Sequence, residues 1–286
     1  MARGRRPSEP VGGQPDAVSL RDTGDVDLRP LMLREGCRVQ ASGRVIAVAG
    51  EVWFEPPLPV PLEAYTSGHE PAPKRSGLGI PVRGVDLGGL ERRRSKDRAL
   101  EGWAQLTGHW SAGELVVAEQ DAPSWLVRPE PRWDNPPCEP PAGGWPHGRR
   151  DENLEPPRDL EGHPAVVGVM LVRPSPTQVV LVVVSTEPDQ TREQLAACHL
   201  SRSCVVASRW TRAQVHEAQS QLATGLASWR IYQTAQTHGQ DCQIRLEAAA
   251  VEVVPEFAEW ASTVPDGLLQ VRVWLAPTSS PVPPPP

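Results

Sequence analysis

Lysine is nearly missing from this chain: Lys74 and Lys96 are the only two, and arginine supplies every other fixed positive side-chain charge. Long apolar runs are missing too. The longest, AVVGVMLV and VVLVVV, fall far short of the roughly 20 residues a spanning helix needs, so no membrane segment is expected. The opening MARGRRPSEP has the basic start of a secretory leader but no apolar stretch behind it, and this points to a cytoplasmic chain. Cysteine is sparse: Cys37, Cys138, Cys198, Cys204 and Cys242 make an odd number without a dense framework, which fits reduced thiols better than disulfides.

The signatures of common catalytic machinery are also absent. There is no Gly-x-Ser-x-Gly elbow, no His-Glu-x-x-His and no glycine loop ending in Lys-Ser/Thr. Gly77-Leu78-Gly79 and Gly88-Gly89 lie in loop-like sequence and not between a strand and a helix, so a dinucleotide site fails on context. The chain is therefore expected to be non-catalytic and to need no cofactor. A net charge of −6 argues against non-specific DNA binding by the whole molecule.

What the chain has in excess is proline and glycine, 33 and 24 residues, which hold the hydrophobic fraction at 39% and mark boundaries. Residues 1–29 and 277–286 have the composition of disordered ends. Residues 30–131 form the first expected domain. CRVQASGRVIAVAGEVWFEP alternates apolar and polar positions, with Gly43 and Gly50 as bulge or turn points, and GWAQLTGHWSAGELVVAEQ reads as strand, turn and strand. Several short strands without a helix imply an all-β barrel of OB-like shape.

Residues 132–162 are the connector, Pro-rich and stiffened by X-Pro steps, with Trp133 and Trp145 expected to pack into a groove. Residues 163–276 form the second domain. AVVGVMLVR and QVVLVVVST flank a Pro174–Thr177 turn, Thr191 with Gln194 opens a short helix, and SCVVAS follows as a strand. A longer helix starts at the capping pair Thr211 and Gln214, with Val215, Ala218, Leu222, Leu226 and Trp229 on one stripe. A hairpin around Gly239–Asp241, a helix from Pro255 and the strand LLQVRVWLA complete an α+β layer with a mainly antiparallel sheet. The fold class is α+β in two domains.

Two stretches, PCEPPAGGWP at 137–146 and SRWTRAQV at 208–215, resemble segments of uncharacterised proteins from high-GC actinobacteria. The resemblance implies a source and a two-domain family without an assigned function, and brings no site residues with it. The scarcity of lysine agrees with a GC-rich source.

The best binding signal is the stretch from Lys74 to Arg98, eight positive against three negative side chains, net +5. In an OB-like barrel such connections flank a groove where aromatic side chains and arginines meet a ligand. Trp53, Trp103 and Trp110 supply the rings and Arg92, Arg93, Arg94 and Lys96 the charge. The first expectation is a partner protein recognised through this groove, and single-stranded nucleic acid is the alternative. A third reading, a zinc-stapled domain or zinc enzyme, would draw on Cys198, Cys204, His238 and Cys242, whose spacings lack the Cys-x2-Cys of common zinc modules.

Overall fold

The computed structural model describes residues 27–58, 73–123, 135–145, 160, 162–197, 200 and 203–278, a β-rich α+β architecture. The first half is one sheet of six strands: β1 (Arg38–Val48), β2 (Glu51–Glu55), β3 (Ile80–Arg83), β4 (Glu91–Lys96), β5 (Ala99–Ser111) and β6 (Glu114–Asp121). β1 pairs antiparallel with both β2 and β5. β2 continues to β3, β3 runs parallel to β6, and β6 returns to β5. The hydrogen-bonded circuit β1-β2-β3-β6-β5 thus comes back to β1, and β4 is added on β5.

Alternation explains which face turns inward. Val39, Ala41 and Val45 of β1 are buried with Phe54, Ile80, Ala104, Leu106 and Leu115 in a single apolar core. The β1-β2 and β5-β6 links are two-residue turns, Ala49-Gly50 and Ala112-Gly113, with positive φ at both positions, as type I′ hairpins require. Gly50 is the turn glycine expected. Gly43 is neither turn nor bulge: it lies inside β1, where a Cβ would stand 2.4 Å from the Glu55 carbonyl oxygen and 2.8 Å from the Trp274 ring. Close approach, not chain reversal, selects glycine there.

The second half comprises β7 (Val166–Ser175), β8 (Gln178–Ser185), α1 (Pro188–Ala197), β9 (Ser203–Ala207), α2 (Arg212–Gly225), β10 (Ile231–His238), β11 (Ile244–Ala250), α3 (Pro255–Ala261) and β12 (Leu269–Val273). In place of one mainly antiparallel sheet there are two three-stranded mixed sheets, β7-β8-β9 and β10-β11-β12. Each is a hairpin whose second strand pairs in parallel with a third strand, reached through a helix. A helical crossover is what parallel neighbours need. The two sheets therefore repeat one ββαβ plan, with α2 between them.

Local chemistry fixes the helix starts. Thr211 and Gln214 make the expected capping box on α2, whose Val215, Ala218 and Leu222 are buried. α1 differs from expectation: it begins at Pro188, so Thr191 is inside it, with its hydroxyl donating to Glu187 O and sharing a hydrogen bond with the Ser185 hydroxyl. Pro at the first turn outweighs the Thr/Gln pair as the start signal, because its missing N–H costs nothing there.

The two halves share structure at their edges. Leu28, ahead of β1, is buried in the second half's core with Trp210, Phe257 and Val271. In return, Val251 and Leu275 are buried in the first half's core. Pro277 bridges Val39, and Thr278 N donates to Arg38 O at 2.8 Å. Arg230 completes the joint, donating Nη2 to Leu78 O at 3.2 Å while Nη1 holds Glu252 at 2.7 Å.

Candidate recognition groove

A groove of about 540 Å³ lies along β2 and β3, lined by Glu51, Trp53, Pro81, Val82, Arg83 and their neighbours. Phe54 points into the core, so alternation turns Trp53 to the outer face. The guanidinium of Arg75 covers the indole at 3.3 Å from its centroid, a cation–π contact. Glu51 ties the pair from one side: its Oε2 accepts from Trp53 Nε1 at 3.2 Å and stands 3.8 Å from Arg75 Nη1. Arg83, on the other wall, donates Nε to Glu114 at 2.8 Å.

Register carries this face across the sheet. Pro81, Trp53, Ile46, Glu101 and Arg94 are successive cross-strand neighbours, and so are Glu55, Arg44, Trp103 and Glu91 in the next row. Directly opposed residues share a face. Along it runs an alternating ladder of charge: Arg94 pairs with Glu101, Arg44 Nη1 lies 3.5 Å from Glu101, and Arg44 Nη2 donates to Glu55 at 2.6 Å. Glu55 is wholly buried, and its second oxygen accepts from Ser76 N at 2.7 Å. Two buried carboxylates thus share one arginine.

The structure brings some of the expected binding residues together and disperses others. Trp53 is in the groove, Trp103 shares its sheet face, and Arg94 is committed to Glu101. Arg92 and Lys96 are exposed on β4 with Arg93, and the β4-β5 turn Asp97-Arg98 has positive φ at both positions. Lys96, Ala99, Val48 and Glu51 are cross-strand neighbours, so the basic turn stands about 14 Å, three strand spacings, from the groove edge. Trp110 is elsewhere: nine residues along β5 from Glu101, about 30 Å at strand rise, it packs half-buried on the core and is tied to Gly36 and Cys37 through its backbone. Arg75, which covers the groove's Trp53, is the residue that sequence patterning did not single out, because the two stand 22 positions apart in the chain.

Of the connector residues, Trp133 lies outside the described residues. Trp145 packs on Val172, Val180 and Val182 of the second half, and its carbonyl accepts from Gln178 Nε2 at 2.7 Å. The expectation of reduced thiols is overturned. Cys138 and Cys204 form a disulfide with Cα atoms 5.7 Å apart. Sequence spacing carried no sign of it, since 66 positions separate the two and tertiary docking of the connector brings them together. A cysteine so bonded is no zinc ligand. Cys198 lies outside the described residues, Cys242 is a buried thiol, and among the described residues no group of three or more His, Cys, Asp or Glu is placed to hold a metal ion. Nor is any helix among them long and apolar enough to cross a membrane.

Comparison with known proteins returns no matching family model, no matching curated protein and no matching solved structure.

Proposed function

We propose that this chain is a non-catalytic binding protein whose first half works as an OB-type barrel and takes an extended segment of a partner protein along its β2-β3 face. The strand circuit β1-β2-β3-β6-β5-β1, with a parallel β3-β6 pair, supports the barrel reading, and the β2-β3 face is where such barrels hold extended ligands. The observation that carries the partner class is the pairing of charge in the groove. Arg75 is matched by Glu51 and Arg83 by Glu114, so the groove offers an indole, a proline and aliphatic side chains with its charge balanced. A phosphate backbone wants the opposite, an excess of free cations.

The test is selection of binders from a random peptide library on the immobilised full chain, with Trp53→Ala as comparator. Peptides retained by the parent and lost by the variant support the reading. A library that yields no Trp53-dependent binder overturns it.

One observation favours single-stranded nucleic acid as a second reading: the basic β4-β5 turn stands on the same sheet, about 14 Å from the groove edge. Titration of the full chain with a mixed-sequence oligonucleotide at two salt concentrations tests it. The Arg92→Ala/Arg93→Ala variant is the comparator, because Arg94 is spent on Glu101. Salt-sensitive binding that weakens in the variant supports this reading, with the log–log salt slope reduced by about 1.4 for two lost phosphate contacts; no binding at either salt removes it.

A further inference from the structure

The described part of the connector, residues 135–145, meets the second half at a cavity of about 750 Å³. Cys138 and Trp145 form the connector's wall of this cavity, Arg192 and Leu200 line it from α1 and the chain that follows, and Cys204 belongs to β9. The disulfide therefore borders this cavity on one side and a small apolar core on the other. Cys204 is buried, whereas Cys138 is half-buried, so Cys138 is the more exposed residue of the pair.

A positive charge stands beside the bond. Arg192 Nη2 donates to Val205 O at 3.4 Å, and Cys138 Sγ lies 3.8 Å from that same oxygen. Arg192 is also paired with Asp189, and Glu139 lines the same cavity; Arg192 is the cation of this group, and a cation near a disulfide favours the thiolate that leaves. The non-covalent hold on this part of the connector includes a hydrogen bond from Gln178 and apolar packing of Trp145 on the second half, with Pro136 buried.

We propose that Cys138–Cys204 is a thiol–disulfide exchange site, opened by a small thiol that enters this cavity, and that it latches the connector to β9. In the first step the thiolate sulfur bonds to Cys138 Sγ, the Cys138–Cys204 bond breaks, and its electron pair leaves on Cys204 Sγ, which takes up a proton. In the second, another thiolate attacks the small-thiol sulfur of the mixed disulfide, and Cys138 departs as a thiolate beside Arg192. Two small thiols are oxidised to one disulfide while the protein's disulfide is reduced to two thiols. The connector then keeps its non-covalent contacts alone. The site is distinct from the groove and does not depend on its occupant.

The experiment uses the full chain, air-oxidised, incubated with glutathione under native conditions, with alkylation and peptide mass analysis to locate each thiol. The expected result is a glutathione adduct on Cys138, then free Cys138 and Cys204, with an unchanged circular dichroism spectrum and new protease cleavage within residues 135–145. Cys138→Ser should show that cleavage without any thiol, and Arg192→Gln should slow the exchange several-fold while leaving the spectrum unchanged. The proposal is overturned if the bond persists until the protein unfolds, if the oxidised native protein lacks the bond, if the adduct forms only on another cysteine, or if Arg192→Gln exchanges at the parent rate.

Discussion

The indole of Trp274 lies against the ring of Phe54, centroids 4.7 Å apart, and its Nε1 donates to Ser42 O at 2.8 Å. One side chain just beyond β12 thus completes the core of the first sheet. Trp274→Ala is expected to cost about 3 kcal/mol, as large-to-small changes at packed aromatics do. It should also separate the unfolding of the two halves. Urea titration followed by tryptophan fluorescence and by hydrogen exchange checks both: a single parent-like transition at unchanged midpoint would count against the joint.

Gly43 meets the same aromatic pair from the other side. A methyl group there would stand 2.4 Å from Glu55 O and 2.9 Å from the Phe54 ring. Gly43→Ala is expected to destabilise by about 1–3 kcal/mol through overpacking and not through loss of backbone freedom. The equivalent change at Gly50, whose φ is +86° with open space around it, strains the turn without touching the core. Comparing denaturation midpoints and near-ultraviolet circular dichroism of the two variants distinguishes the mechanisms, since only the first should alter aromatic packing.

Arg44 is the hinge of the charge ladder. Its replacement by methionine keeps much of the volume but leaves Glu55 and Glu101 buried without their shared cation. Breaking a buried pair in this way costs about 3–5 kcal/mol. Arg94→Met, which leaves Arg44 in place, should cost less. Parallel urea curves for the two variants give the order directly, and equal losses would mean that Arg44 is not shared.

Tyr232 on β10 packs against the first core, and burial pushes its phenol above the ordinary tyrosine value, Arg272 opposing and Glu247 adding. Because the folded value exceeds the unfolded one, the neutral phenol's contribution is complete below about pH 10 and declines as pH rises between the two values. Stability measured from about pH 8 to about pH 11 should therefore fall at the alkaline end, and Tyr232→Phe should flatten that fall. An identical alkaline slope in the variant would place the titration elsewhere.

Much of the second half is legible locally. The capping pair of α2, its apolar stripe and the Gly239–Asp241 turn are all encoded within a few residues of where they act. The strands of the first sheet are legible for the same reason, since alternation along β1 reports its own buried face. Their partners are not. The closure of β1 on β5, the parallel β3-β6 pair and the split into two mixed sheets depend on contacts between distant segments, about which periodicity is silent. The same limit hid the site residues: Trp53 could be named as an available aromatic, but its Arg75 cover, the sharing of Arg44 and the Cys138–Cys204 bond each join irregular chain to a strand, or strand to strand, across long separations.

The exchange of ends between the halves also sets an order of events in folding. Ser42 waits for Trp274 across 232 positions, and Arg38 for Thr278 across 240. During synthesis the first sheet emerges well before the residues that finish its core, while Leu28 has no seat until Phe257 and Val271 exist. Neither core can mature alone, and pairings this distant in sequence fold slowly. Completion is thus deferred until the last strand arrives, and a chain stalled before residue 274 would hold two unfinished cores.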